Sequence, residues 1–259
     1  MKFITDLSLI SWQRPAAGSS GPPSGPGTPI PALGYAVDLR LFDEARLFAD
    51  LAGTVPAATG GAVARVTGLG TPVVNAVQAV VAARPTRRTA GDLNWLELDG
   101  VDDRILIEPN AAWRNTGMSA VVVIRRTLAA PRSMLLGNAS GNVMYAGGMD
   151  SGSSSTAVDN VSATNHYANG VLIPGTITRG ALYSYWTTGN WVIAEVAGMD
   201  LTGSGLTGGL QLLGYDTNTS LLCPSDAAMI LLIPTATMNT GTNRADLVAA
   251  LAGKFGITL

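Results

Sequence analysis

The chain is poor in the residues that most enzymatic and membrane chemistries require. Its 259 residues include one cysteine, Cys223, so no disulfide can form within the chain. They include one histidine, His166, too few His and Cys ligands for a zinc site of the usual kind. Charged residues make up only 13% of the sequence, against about 25% in ordinary globular proteins. Net charge is −2, which gives no drive toward nucleic acid or an anionic membrane surface. No apolar run approaches the ~20 residues of a membrane span. No basic segment followed by an apolar stretch opens the chain, so export by the ordinary secretory route is not expected.

Of the 16 basic residues only Lys2 and Lys254 are lysines. The arginine excess fits either an interface role, through planar pairing with carboxylates and rings, or a codon preference. Apolar residues reach 47%, enough for a large core.

The chain divides at residue 34. Residues 1–14 are mildly apolar, with Phe3, Ile4, Leu7, Leu9, Ile10 and Trp12. Residues 15–34 are a Gly/Pro/Ser linker that cannot bury enough apolar surface to offset its ordering entropy. An apolar peptide on such a tether reads as a docking arm, with Phe3, Ile4, Leu7, Ile10 and Trp12 as contacts. A first strand returning to the body is the alternative. Residues 35–259 read as one β domain. Short runs rich in β-branched residues recur between Gly, Asn, Asp and Ser: 35–41, 73–83, 93–100, 103–109, 119–126, 133–138, 142–148, 171–178, 181–188, 190–196, 209–215 and 227–234. That spacing belongs to a sandwich or barrel. The exception is the end, where Asn243 as cap, Asp246 in the first turn and Leu247, Ala250 and Leu251 on one face predict a helix over 244–254.

Three stretches carry a family resemblance. They are Ala83-Arg84-Pro85-Thr86 followed by Trp95 to Asp103, the strand Ala120–Arg126, and the C-terminal Leu247–Leu259. In order and spacing the chain resembles the concanavalin A-like (laminin-G-like) jelly-roll domains of bacteriophage structural proteins, tail fibres among them, over about residues 35–259. The family's last strand often ends in an acidic run, which Ala228–Pro234 lacks. The resemblance implies a two-sheet antiparallel jelly-roll sandwich, a place on the exterior of a virion and recognition of host-surface glycans. The expected protein is a capsid decoration, head-fibre or tail-fibre module. It is held to other virion proteins by its arm, forms a homo-oligomer such as a trimer, and has neither enzymatic activity nor a cofactor.

Other chemistries would rest on specific residues. Glycosidases on this fold carry alternating acids on one strand; Glu97 and Asp99 fit the first two places, but Val101 or Asp102 stands where the third acid belongs. Asp99, Asp102 and Asp103 offer oxygens for calcium without an Asp-x-Asp-x-Asp-Gly loop, and Asx turns are their simpler role. His166 reads as a loop or surface residue. The glycines of 203–209 are not followed by Gly-Lys-Ser/Thr, so they are turns and not a phosphate loop. Tyr183, Tyr185, Trp186 and Trp191 read as one aromatic hairpin, able to stack on a sugar ring or a partner, or to fill the core.

Overall fold

The computed structural model describes residues 29–126, 132–138, 145–161, 165–173, 176–186, 189–203, 206–214, 222 and 224–259. The chain is mostly β, with two antiparallel sheets. One sheet runs, in spatial order, β12 (Val171–Leu172), β11 (Asn165–Ala168), β13 (Trp191–Met199), β8 (Met118–Arg126), β15 (Ser225–Pro234), β6 (Leu93–Leu98) and β5 (Thr86–Ala90), with β1 (Val37–Arg40) also on β15. The other runs β10 (Tyr145–Asp150), β9 (Arg132–Asn138), β14 (Leu210–Leu212), β7 (Leu106–Ile107), β4 (Ala76–Val77), β3 (Arg65–Val66) and β2 (Leu47–Phe48).

β15 organises the first sheet. Along one edge it pairs with β8; along the other, Ser225–Ala227 face Leu98–Leu96 and Met229–Leu232 face Arg40–Val37. The register with β8 shifts between Ala227 and Met229, so Ala228 is an extra residue that bends the strand where its second partner changes.

Two apolar cores explain the composition of the central strands. Leu96, Leu98, Val122, Ile124, Ile230 and Leu232 pack between the sheets, together with the fully buried Trp113 and Leu135. Val121, Val123, Ile193, Leu231 and Ile233 point the other way, under α3 (Asn243–Phe255). That helix presents Leu247, Val248, Leu251 and Phe255 to the sheet. Strand β8 is therefore covered on both faces, which is why its centre, Ala120–Ile124, is an unbroken apolar run and does not alternate. Helix α3 carries Asp246 in its first turn and ends at Gly256 in the left-handed region (φ 62°), whose N–H bonds the Ala252 carbonyl.

Two sequence expectations need correction. The Val-rich run 73–83 is not a long strand: only Ala76–Val77 pair, and Val81–Ala83 form a 3-10 turn. The backbone there is taken up by side chains. Gln78 accepts from the Val80 N–H at 3.0 Å, and the Arg84 guanidinium donates to the Gln78 and Ala79 carbonyls. The run 181–188 is not a strand either. Arg179–Trp186 form the helix α1, started by Thr178, whose hydroxyl accepts from the Ala181 N–H at 3.1 Å. A one-turn helix, α2 (Thr235–Met238), follows β15 directly and precedes α3.

Candidate functional site

The arm contacts Phe3, Ile4, Leu7, Ile10 and Trp12 lie outside the described residues. Its base does not. Ile30 and Leu33 pack against the core beneath α3. The Tyr35 hydroxyl donates to the Pro31 carbonyl, and burial pushes that hydroxyl well above its ordinary range. The Ala36 N–H bonds Leu232 O at 2.9 Å. Chain entering from the linker is thus fixed on the outer, helix-bearing face of the first sheet, by Ile30 and Leu33 at the end of the 15–34 linker together with Tyr35 and Ala36 at the start of the β domain.

The aromatic hairpin dissolves into two separate places. On α1, Leu182 and Trp186 share the face that enters the core. Trp186 is fully buried, and its indole N–H donates to Tyr167 O at 3.0 Å. Tyr183 is half-buried with the Arg126 guanidinium 5.5 Å from its ring centre, and only Tyr185 is exposed, at 46%. Trp191, by contrast, begins β13 on the opposite side of the first sheet. The misreading has a local cause: aromatic residues favour strands, but the packing of α1 on β10 overrides that preference, with Gly147 leaving room for the Trp186 ring.

On that outer face Trp191 joins Trp95 of β6. Arg125 of β8 lies between them, its guanidinium 4.9 Å from the Trp191 ring centre and 5.2 Å from that of Trp95. Arg125 also pairs with Asp226 of β15 at 2.7 Å. Asp226 is 3% exposed, and burial raises its carboxyl despite that pairing. The ring contacts continue from Trp191 to Phe255 and from Phe255 to Phe42, each 5.7 Å between centres, with the Lys254 ammonium 4.1 Å above Phe42. A half-buried aromatic and cationic belt therefore runs from β6 to the end of α3. Sequence reading found Trp191 but missed Trp95, Arg125 and Asp226. Only strand register, with Asp226 opposite both Glu97 and Arg125, and Arg125 opposite Trp191, brings them together.

The acidic residues occupy a turn. Strand β6 ends at Leu98, and Asp99 folds its Oδ1 back to accept from the N–H groups of Val101, Asp102 and Asp103 at 2.8, 3.2 and 3.3 Å. Asp103 Oδ2 accepts from the Asp99 N–H at 3.0 Å. Asp99, Asp102 and Asp103 have ligand oxygens within 4.8 Å of one another, the spacing a hard cation would need. Their backbone bonds, however, are those of an Asx turn. Burial, with the charges of Asp99, Asp102 and Glu97, pushes the Asp103 carboxyl up to about 7. Glu97 is paired instead with Arg88 on β5. The acidic strand pattern thus ends before Asp99, whose carboxylate is turned into its own loop.

His166 is neither in a loop nor at the surface. It lies on β11, 7% exposed, with Nε2 3.0 Å from Asp159 Oδ2, an ion-pair distance without the alignment of a hydrogen bond. Asp159 Oδ1 accepts from the Gly147 N–H at 2.7 Å, so the pair ties β11 to β10, from one sheet to the other. Trp186 lies against the imidazole at 6.0 Å.

Most arginines are consumed inside the fold. Arg87 donates to Asn94 Oδ1 and to Ala57 O, Arg84 to three carbonyls, and Arg244 to Glu195. No helix among the described residues is long and apolar enough to cross a membrane. No protein-family model matches the chain, and no curated protein matches it.

Proposed function

We propose that the chain is a bacteriophage virion surface protein, a capsid decoration, head-fibre or tail-fibre module. In this reading its β-sandwich is a concanavalin A-like jelly roll displayed on the particle, and residues 1–28 attach it to other virion proteins. The motifs at 83–86, 95–103, 120–126 and 247–259 support the family reading. So does a chain path that passes repeatedly between two antiparallel sheets.

The observation that carries the proposal is the anchored base of the arm. Ile30, Leu33 and Tyr35 hold the chain on the outer face of the body at the point where the Gly/Pro/Ser-rich segment ends. A tether with a fixed origin raises the effective concentration of its apolar end near whatever surface the body sits on. Low surface charge suits a protein packed among copies of itself, in a homo-oligomer such as a trimer. Host-glycan contact would then fall to the body and not to the arm.

Removing residues 1–28 spares Ile30, Leu33 and Tyr35, the contacts that fix the base of the arm. Particles assembled with this shortened chain are expected to lose it, as read by quantitative mass spectrometry of purified virions. Full occupancy by the shortened chain would reject the arm as the attachment.

A further inference from the structure

One arginine stands apart from the others. Every other described arginine donates to a carboxylate, a carbonyl, a side chain or a ring in its own chain. The Arg114 side chain makes no hydrogen bond or salt bridge among the described residues, and its Nε is buried without a partner. An orphaned buried donor costs about 1–3 kcal/mol, so the site is incomplete as the chain folds it.

Arg114 lines a cavity of about 290 Å³ with Pro109, Asn110, Ala111 and Thr202. The cavity sits at the end of the sandwich where β8 starts and β13 finishes. Its walls are held. Trp113, fully buried, donates its indole N–H to Glu108 O at 3.0 Å. The Arg114 N–H bonds Asn110 O at 3.3 Å, and the Leu201 N–H bonds Asn115 O at 2.9 Å, which fixes the 110–115 turn against the segment carrying Thr202.

The lining is unbalanced toward donors. Asn110 uses its Oδ1 to accept from the Ala112 N–H at 2.9 Å, which leaves its Nδ2 without a partner among the described residues. Thr202 gives both its N–H and its hydroxyl to Asp200 Oδ1, at 3.0 and 2.7 Å. Asp200 is therefore engaged with Thr202 and is not itself part of the lining. A guanidinium fork and a carboxamide N–H₂ remain, beside the apolar Pro109 ring and Ala111 methyl.

We propose that this cavity binds a small carboxylate with a short apolar body, the carboxylate on the Arg114 fork and Asn110 Nδ2, the body on Pro109 and Ala111. A planar carboxylate is the acceptor that takes two parallel N–H groups from arginine. The volume, at the low end of small-molecule sites, suits a molecule or end group of this size.

The test is a titration of the full chain followed by amide and arginine side-chain NMR. The probes are N-acetylalanine, D-glucuronate and, as uncharged control, N-acetylalanine amide. The two carboxylates are expected to shift Ala111, Ala112, Thr202 and the Arg114 Nε–H signal saturably, at millimolar concentrations, and the amide is not. The stronger of the two carboxylates separates a peptide-like from a sugar-acid ligand. Arg114→Gln is expected to weaken binding about tenfold or more. Arg114→Lys, which keeps the charge without the fork, is expected to fall between. If Arg114→Gln does not give a folded spectrum, Arg114→Lys decides: affinity equal to the parent's rejects the fork. Equal response to the amide, unchanged affinity in Arg114→Gln, or no saturable shift with either carboxylate overturns the proposal.

Discussion

Besides its apolar contacts, α3 is joined to the first sheet by one buried ion pair, and its removal is a sharp test of the layered packing. Glu195 of β13 is 2% exposed and accepts two bonds from the Arg244 guanidinium, at 3.0 and 3.1 Å. Arg244 lies in the first turn of α3, with its guanidinium 4.3 Å from the ring centre of Tyr167. Arg244→Ala leaves a carboxylate buried between sheet and helix. Breaking such a pair from one side costs about 3–5 kcal/mol. Because the Arg244 side chain is 19% exposed and water reaches that end of the pair, about 3 kcal/mol is expected. Urea unfolding should show a lower midpoint with an unchanged slope.

The loss should also depend on pH. Burial raises the Glu195 carboxyl, and Arg244 opposes that rise. Without Arg244 the folded-state value climbs further above the unfolded one. A raised acid contributes stability below its unfolded value and loses it as pH rises through its folded value. The variant should therefore lie closer to the parent at about pH 5 than at about pH 8. Glu195→Leu with Arg244→Met, which removes both charges and keeps apolar volume, should recover most of the loss. A deficit in Arg244→Ala under about 1 kcal/mol, or one independent of pH, would refute a buried carboxylate that relies on Arg244.

Two further predictions concern turn and core. Asp103, raised to about 7 from 3.8, contributes stability that is present below its unfolded value and lost as pH rises through about 7. Asp103→Asn keeps an acceptor for the Asp99 N–H, so its melting temperature should fall less than the parent's between about pH 5 and pH 8; equal slopes would contradict the raised carboxyl. At Gly147 (φ +67°) a β-carbon would lie 2.7 Å from Trp186 Cζ3 and 2.9 Å from Leu135 Cβ, so Gly147→Ala is expected to destabilise by about 2 kcal/mol or more in thermal unfolding. Gly152→Ala, at a similar φ in open space, should cost clearly less, and equal losses would mean that backbone strain and not the Trp186 contact sets the cost.

The β content was legible because it is local. Met118–Arg126, Trp191–Met199 and Ser225–Pro234 are long β-branched or aliphatic runs, and they form the middle of a sheet. Where the same residue types had no ladder to join, local reading failed. Val80 and Val81 are exposed in a turn, and Tyr183 to Trp186 belong to a helix. His166, flanked by Asn165 and Tyr167, gave no local sign of its burial, because its partner Asp159 is brought to it by the meeting of two sheets.

The sequence by itself determined that the chain is mostly β, since most of its β-branched runs between turn formers bury their apolar side chains as paired strands. It also determined that a short apolar segment precedes a linker, and that three aspartates sit in one turn. The tertiary structure alone decided which polar groups meet. Arg125 reaches Trp95, Trp191 and Asp226 only through the register of four strands. The Arg114 side chain is left without a hydrogen-bond partner among the described residues by the way the loops around it fold. Propensity acts over a few residues, whereas these encounters are set by pairing between strands as far apart as Trp95 and Asp226, a distance over which no local pattern carries information.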